Sequence, residues 1–95
     1  MPPVNFRVSQ PESVTRSFRD ILILARSQGR QALVLRAGRY MLDELAYDPM
    51  RYGESRNYFP AARIWERLAF APPLEVRFGV HEESKQVFIF ELAIN

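Results

Sequence analysis

The amino-terminal third of the chain shows two hydrophobic periods in succession. Residues 4–8 alternate between apolar and polar, which predicts a short half-buried strand. Apolar residues then recur every three or four positions and predict a helix with one apolar face: Val14, Phe18, Ile21, Leu22 and Ala25. Ser9 and Glu12 have the spacing of a capping box, so we expect the helix to begin there, and Gly29 is expected to end it.

A second helix is predicted from Gln31 to Tyr47. It should end before Asp48-Pro49, because the residue that precedes a proline is disfavoured in helical conformation. Its apolar and small residues cover more than half of the helical wheel: Leu33, Val34, Leu35, Ala37, Gly38, Tyr40, Met41, Leu42 and Leu45. An arc this wide has to be covered from two directions, by the first helix and a sheet, or in part by another chain. The short glycine turn between the two helices predicts an antiparallel hairpin.

The period changes to 2 after a polar connection over residues 48–57, and the rest of the chain is predicted to be β structure. Pro72-Pro73 and a charged turn separate three strands, which cover residues 63–70, 74–80 and 87–94.

The last hairpin also has a predicted register. We expect Phe78 to lie opposite Phe90, with Arg77 and Glu91 paired as ions on the reverse side. The final strand is apolar on both faces except at Glu91, so it should be central in the sheet. The large residues expected to be buried between helices and sheet are Phe18, Tyr40, Met41, Phe78 and Phe90.

Length and composition narrow the class of protein. Ninety-five residues suffice for one domain, predicted over residues 1–95, and the absence of cysteine with a single histidine predicts no disulfide, metal or other cofactor. No apolar segment is long enough to span a bilayer, so we expect a soluble, cytoplasmic protein with no membrane partner. Twelve arginines and one lysine stand against eleven acidic residues. Guanidinium groups bind phosphate, so nucleic-acid binding is one interpretation, and an ordinary surface with a net charge of +2 is the other.

These elements, in this order, resemble the RelE/ParE family, the plasmid stabilisation protein-like toxins of bacterial type II toxin–antitoxin systems. Three segments carry the resemblance: Leu45 to Arg56, with its Asp-Pro and Gly-Glu pairs, then Pro73 to Glu83, then Gln86 to Phe90. The resemblance implies an α+β fold of order β-α-α-β-β-β. An amino-terminal helical hairpin would pack on one face of an antiparallel-rich sheet and leave the opposite face concave.

The resemblance also implies a function and partners. A toxin-like protein of this family pairs with a cognate antitoxin protein, and its target is either the ribosome with its mRNA or gyrase. The mRNA-cleaving branch consists of ribosome-dependent endoribonucleases that bind RNA on the concave face. Those members place an arginine where this chain has Glu75, and none of their catalytic residues transfers one for one. The alternative is a non-catalytic binding protein of the same fold, either directed at gyrase or pairing only with an antitoxin.

Candidate RNA-binding and catalytic residues come from the predicted strands. If Ile64 and Leu68 face the helices, their strand neighbours project from the concave face, where residues of the next strand also point. Arginines there would hold the scissile phosphate, a tryptophan would stack on a base, and the histidine would accept a proton. The nucleic-acid-binding candidates are Arg63, Trp65 and Arg67, and the catalytic candidates are Arg67, Arg77 and His81.

The same residues also have a structural interpretation. In the opposite register Trp65 belongs to the core, and the arginines of its strand form a solvated face. Arg77 is then neutralised by Glu75 and Glu91, and His81 is a surface residue beside an acidic turn.

A partner-binding surface is predicted on the helices. Ile23 lies nearly opposite the Phe18 face of the first helix among arginines, and Leu35 and Leu42 lie at the far edge of the apolar arc of the second. Exposed apolar residues rimmed by arginine would suit an acidic amphipathic antitoxin segment. The alternative is an isolated exposed isoleucine, which needs no partner.

Overall fold

A computed structural model describes residues 4–94 of the chain. Within these residues the elements are, in chain order, β1 (Arg7–Ser9), α1 (Glu12–Ser27), α2 (Gln31–Tyr47), β2 (Glu54–Phe59), β3 (Ile64–Ala71), β4 (Leu74–His81) and β5 (Gln86–Ile94). The predicted α+β class is confirmed. The predicted order of elements lacks one strand, because β2 lies in the segment that was expected to be a polar connection.

Helix α1 begins after Pro11 and not at a capping box. Ser9 belongs to β1, and its Oγ donates a long hydrogen bond of 3.5 Å to the Val87 carbonyl oxygen on the neighbouring strand. Pro11 is extended, and its carbonyl oxygen accepts the N–H of Val14 at 3.0 Å. The predicted apolar face is confirmed, with Val14, Ile21 and Ala25 buried and Phe18 and Leu22 partly buried.

The turn between the helices depends on Gly29, as predicted. Gly29 has a φ of 71°, a left-handed conformation that costs glycine little, and the N–H of Arg30 returns to the Ala25 carbonyl oxygen at 2.7 Å. Helix α2 also ends at the predicted residue, and the N–H of Asp48 closes its last turn on the Glu44 carbonyl oxygen at 3.0 Å.

The amino-terminal segment fastens the end of α2 to the sheet. The N–H groups of Asn5 and Phe6 donate to the Ala46 carbonyl oxygen at 2.8 and 2.9 Å. The side-chain amide of Asn5 donates to the Tyr47 carbonyl oxygen at 3.0 Å. These bonds satisfy carbonyls that the helix terminus would otherwise leave without a partner.

The strands form one sheet in the order β1-β5-β4-β3-β2. Strand β1 runs parallel to β5, and the other neighbouring pairs are antiparallel. Strand β5 lies inside the sheet, as its apolar character predicted. Both helices pack on one side of the sheet, which we call the helix face, and we call the opposite side the open face.

The register of the last hairpin matches the prediction at one end only. Arg77 lies opposite Glu91 as expected, with 3.8 Å between the guanidinium Nη2 and the carboxylate. The expected pair of Phe78 with Phe90 is wrong, because Phe78 lies opposite Ile89. Strand β5 bulges at Phe90, and this one extra residue shifts the rest of the strand.

The core fills the space between the helix face and the helices. Its largest fully buried side chains include Phe78, Leu45, Leu74, Ile89 and Val34. The expected burial of Met41 and Phe78 is confirmed, and Phe18 is partly buried. The expectation was wrong for Tyr40, which is 54% exposed on a flank of α2, and for Phe90, which is 36% exposed on the open face.

Gly53 controls the entry of the chain into β2. Its φ is 77°, in the region that favours glycine. A Cβ at this position would collide with the carbonyl oxygen of Leu68 and lie 2.7 Å from Cβ of Ala69. The backbone of β3 therefore passes too close for any side chain at this position.

We expect Gly53→Ala to lower the free energy of unfolding more than Gly29→Ala does. Both substitutions carry the steric cost of a left-handed backbone, about 1–2 kcal/mol. A Cβ on Gly29 meets no atom within 4 Å, whereas a Cβ on Gly53 meets backbone that no rotamer change can move. Equilibrium urea denaturation of both variants measures the difference. Equal losses would show that β2 can shift away from β3 at little cost.

The Tyr52 hydroxyl is buried without a hydrogen-bond partner among residues 4–94. The Tyr52 ring stacks on Phe78 with centroids 6.3 Å apart and meets Tyr40 edge-on at 6.2 Å. Burial, with smaller contributions from Tyr40 and Glu44, raises the pKa of the Tyr52 phenol to about 12.

We expect Tyr52→Phe to be neutral at pH 7 or to stabilise the fold by up to about 1 kcal/mol, since it removes an unsatisfied buried hydroxyl. The unfolded phenol has a pKa near 10, so the stability tied to the neutral phenol is complete below about pH 10. This contribution to stability is lost as the pH rises towards 12, and Tyr52→Phe should not show the loss because it has no phenol to ionise. Denaturation curves at pH 7 and between pH 10 and 12 measure both effects, with Tyr58→Phe as the exposed control. A loss above about 1 kcal/mol at pH 7 would reveal a polar partner for the hydroxyl.

Candidate functional site

Buried and less buried residues alternate along β4, and this alternation shows which face of the sheet each residue of the paired strand β3 occupies. The buried β4 residues Leu74, Val76, Phe78 and Val80 point to the helices, so the residues between them point to the open face. Arg67 lies opposite Phe78, and Trp65 lies opposite Val80, which puts both on the helix face. The expected orientation of β3 was therefore wrong, and the open face carries Ile64, Glu66 and Leu68.

Arg67 is a buried residue that hydrogen-bonds to the main chain just before β2. Its Nε donates to the Tyr52 carbonyl oxygen at 3.3 Å, and its Nη2 donates to the Gly53 carbonyl oxygen at 2.9 Å. No carboxylate among residues 4–94 forms an ion pair with it. Its guanidinium binds main-chain oxygens on the helix face, away from the open face where a phosphate ligand was expected.

The other two nucleic-acid candidates are each engaged by another side chain of the protein. Trp65 is partly buried against the core, and its ring packs on Tyr58 with centroids 4.3 Å apart. Arg63 lies in the turn before β3, where its Nη1 donates to both carboxylate oxygens of Glu83 at 2.8 and 3.0 Å. The structural interpretation is right in placing Trp65 against the core, but it is wrong for Arg67, which is buried and does not belong to a solvated face.

Arg77 is on the open face, as predicted, and it is held by carboxylates. Its Nη1 donates to Glu66 at 2.8 Å, and its Nη2 lies 3.8 Å from Glu91. Its guanidinium carbon also lies 5.3 Å from the centre of the Phe90 ring. Glu75 shares the face but forms no ion pair with it, so the expected neutralisation of Arg77 comes from Glu66 and Glu91.

His81 lies at the end of β4 and does not meet the other catalytic candidates. Its Nδ1 accepts the N–H of Ser84 at 3.3 Å, and the Ser84 hydroxyl is also within hydrogen-bond distance. Arg77 is four residues earlier on the same strand, which corresponds to roughly 13 Å. Arg67, Arg77 and His81 thus do not form one catalytic cluster.

The open face carries a cavity of about 810 Å³, which we call the aromatic cavity. Its walls include Phe59, Phe88, Phe90 and Ile64, its charged residues are Glu66 and Arg77, and one rim is the segment 9–11 before α1. Gly79 allows this arrangement, because a Cβ there would lie 2.5 Å from the Phe90 ring and 2.7 Å from Cγ2 of Ile64. The Phe90 ring therefore lies directly over the β4 backbone.

The predicted partner residues are exposed, and two of them share a groove. Leu35 and Leu42 are 49% and 44% exposed and line a cavity of about 350 Å³ between the helices, together with Phe18, Gly38, Arg39 and Asp43. We call this the hairpin groove. Ile23 is 64% exposed on α1 and lies outside the groove.

Two features were missed from the sequence. A second groove of about 430 Å³ lies between α2 and the end of β3, lined by Leu33, Arg36, Ala37, Tyr40, Phe70, Ala71 and Pro72. Glu66 was assigned no role, although it is the nearest partner of Arg77. The signal for Glu66 lay in the charge pattern, because a carboxylate and a guanidinium on neighbouring strands pair when they share a face.

A metal site and a membrane span both set requirements for the described residues. Among the residues that the structure describes, no group of three histidine, aspartate or glutamate side chains could hold a metal ion. Neither α1 nor α2 is long and apolar enough to cross a membrane. Comparisons with protein-family models, curated proteins and solved structures found no match to this chain. The resemblance to RelE/ParE toxins therefore rests on the residues and on the order of the elements.

We expect Arg67→Ala to destabilise the fold by about 2–3 kcal/mol, because it leaves the Tyr52 and Gly53 carbonyl oxygens without their donor. Arg67→Lys should recover only part of this, since an ammonium cannot reproduce the two-armed geometry. Arg63→Ala is the control, and removing its exposed ion pair should cost less than about 1 kcal/mol. Chemical denaturation measures all three. A stable Arg67→Ala variant would contradict the structural role.

Proposed function

We propose that this chain is a toxin-like component of a type II toxin–antitoxin system that acts by binding a protein partner and not by cutting mRNA. The α+β architecture, with two amino-terminal helices on one side of a sheet, is compatible with the RelE/ParE resemblance. The choice of binding over catalysis rests on where the free arginines lie.

Four arginines on the helices have no ion-pair partner among residues 4–94, whereas the arginines of β2, β3 and β4 are either ion-paired or buried. Arg19, Arg26, Arg36 and Arg39 are exposed on α1 and α2 and form no salt bridge with any residue from 4 to 94. In β2, β3 and β4, by contrast, Arg56 and Arg77 are ion-paired and Arg67 is buried. Four of the five exposed arginines without an ion pair in residues 4–94 therefore lie on the helices, and the fifth is Arg7 of β1.

The hairpin groove combines apolar surface with one guanidinium and one carboxylate, those of Arg39 and Asp43. Arg39 lines the groove beside the exposed Leu35 and Leu42, and Phe18 forms part of its wall. An amphipathic segment with leucine-like anchors and a carboxylate at its edge would bury the apolar side chains and pair with the guanidinium. An acidic antitoxin segment has that chemistry.

The ribonuclease hypothesis is the weaker of the two. An RNA-cleaving site needs cations that are free to bind a phosphate and stabilise its developing charge. On the open face Arg77 is engaged by Glu66 and Glu91, and Glu75 adds a further negative charge. These carboxylates would repel an RNA backbone.

We expect a protein partner to bind the hairpin groove. The partner to use is the product of the short reading frame adjacent to the gene of this chain. Binding should weaken at least about tenfold in Arg39→Glu and in Leu42→Asp, because one reverses the charge and the other places a charge on apolar contact surface. Arg51→Glu is the matched control, since Arg51 is an exposed arginine outside the helices. Isothermal calorimetry gives the affinities, and amide chemical shifts give the site.

Three outcomes would contradict the proposal. The adjacent frame could be missing, the amide shifts could avoid α1 and α2, or Arg51→Glu could weaken binding as much as Arg39→Glu. The ribonuclease hypothesis has its own test in cells. If induction of the chain produces cuts in translated mRNA that Arg77→Ala abolishes without unfolding the protein, catalysis replaces binding as the function.

A further inference from the structure

The aromatic cavity on the open face has the size and composition of a ligand site. Its volume of about 810 Å³ lies in the range of small-molecule sites, and three phenylalanines contribute to its walls. These side chains come from strands that β3 and β4 separate, Phe59 from the edge strand β2 and Phe88 and Phe90 from the interior strand β5. The partner surface proposed above lies on the helices, so this cavity is independent of it.

The charge beside the cavity is negative. Glu66 lines it with a side chain only 14% exposed, and one of its carboxylate oxygens binds Arg77. The other oxygen, Oε1, accepts no hydrogen bond from residues 4–94. Arg77 is shared with Glu91, so its single positive charge faces two carboxylates, and Glu75 lies on the same face. A ligand with a positive group would be attracted, and an anion would be repelled.

The aromatic walls favour the same kind of ligand. The face of an aromatic ring attracts ammonium and guanidinium groups. The chain already shows this in the cavity, where the guanidinium carbon of Arg77 lies 5.3 Å from the centre of the Phe90 ring. Phe59 and Phe88 are further rings along the walls. Glu66 supplies a hydrogen-bond acceptor and a negative charge beside them.

We propose that the aromatic cavity is a binding site for an organic cation, an ammonium or guanidinium group carried on an apolar body. The apolar body packs against the phenylalanine walls and Ile64, and the cationic group meets Oε1 of Glu66. The same chemistry occurs in a free alkylamine and in a basic side chain of a peptide, and binding experiments can separate these two sources.

The test compares probes that differ only in charge. Hexylammonium should bind about tenfold more tightly than 1-hexanol, and hexanoate should bind more weakly than either. A capped tripeptide with one arginine between two leucines tests the peptide source against the free amine. Amide and aromatic NMR shifts at Gly79, Phe88 and Phe90 locate the site and give the affinities by titration.

Two variants test the two parts of the site. Glu66→Gln should reduce the preference for hexylammonium over hexanol to less than about twofold, since it removes the charge but keeps the shape. Phe90→Leu should weaken hexylammonium severalfold and leave hexanol nearly unchanged, since leucine preserves apolar contact without a ring. Phe70→Leu is the matched control, because Phe70 is an exposed aromatic residue of the open face that does not line this cavity.

The proposal is overturned if hexanoate or hexanol binds as tightly as hexylammonium, or if the shifts map outside the cavity. It is also overturned if Phe90→Leu and Phe70→Leu have the same effect on hexylammonium. If Glu66→Gln fails to fold, the effect of Phe90→Leu on hexylammonium binding, compared with that of Phe70→Leu, decides the test. Tighter binding of the tripeptide identifies a peptide side chain as the source of the cation, and tighter binding of hexylammonium identifies a free amine.

Discussion

Strand β4 is the constraint on which the rest of the fold depends, because both of its neighbours take their orientation from it. Four of its alternate residues are buried against the helices, so the strand cannot rotate without exposing Phe78 and Leu74. Strand β3 pairs along its length, which sends Arg67 to the helix face and Glu66 to the open face. Strand β5 pairs with β4 without a break from Gln86 to Ile89, which lies opposite Phe78. The bulge after Ile89 then places the ring of Phe90 on the open face, over Gly79. The core, the buried arginine and the aromatic cavity are thus consequences of one register.

The parts of the fold that the sequence predicted are those determined by local chemistry. The bounds of α2 followed from a helical period and an Asp-Pro stop, and the left-handed turn at Gly29 followed from the only residue type that adopts it freely. The interior position of β5 followed from apolar residues on both of its faces. The predicted capping box is absent because Ser9 belongs to β1 and bonds to Val87 of the parallel strand β5, nearly eighty residues later in the chain. No local sequence pattern contains that information.

The site was less predictable than the fold, and β3 shows why. Side-chain size suggested that Leu68 faces the core, but Ala69 and Ala71 are the residues buried there. Burying a charged side chain is unfavourable unless it is hydrogen-bonded, which argued against Arg67 in the core. Arg67 is nevertheless buried there, because it donates to two carbonyl oxygens about fifteen residues earlier in the chain. Strand β2 was missed because it is an edge strand with six exposed residues, mostly polar, and its only ordering signal is pairing with β3. An error in the orientation of a strand assigns each of its side chains to the wrong face of the sheet. Arg67 and Arg77, which were predicted to form one site, therefore lie on opposite faces.

Behind the net charge of +2, the arginines and the carboxylates are unevenly distributed over two surfaces. Four exposed arginines without an ion pair in residues 4–94 lie on α1 and α2, while on the open face Glu66, Glu75 and Glu91 share the sheet surface with Arg77. A single surface of mixed charge would favour no partner, but two separated surfaces select different ones. The basic helices suit an acidic polypeptide, and the acidic, aromatic open face suits a cation. A nuclease on this scaffold would need the reverse arrangement at the sheet, with free guanidinium groups where Glu66 and Glu91 hold Arg77. Under the proposed function, the distribution of charge, more than the fold, is therefore what distinguishes partner binding from RNA cleavage.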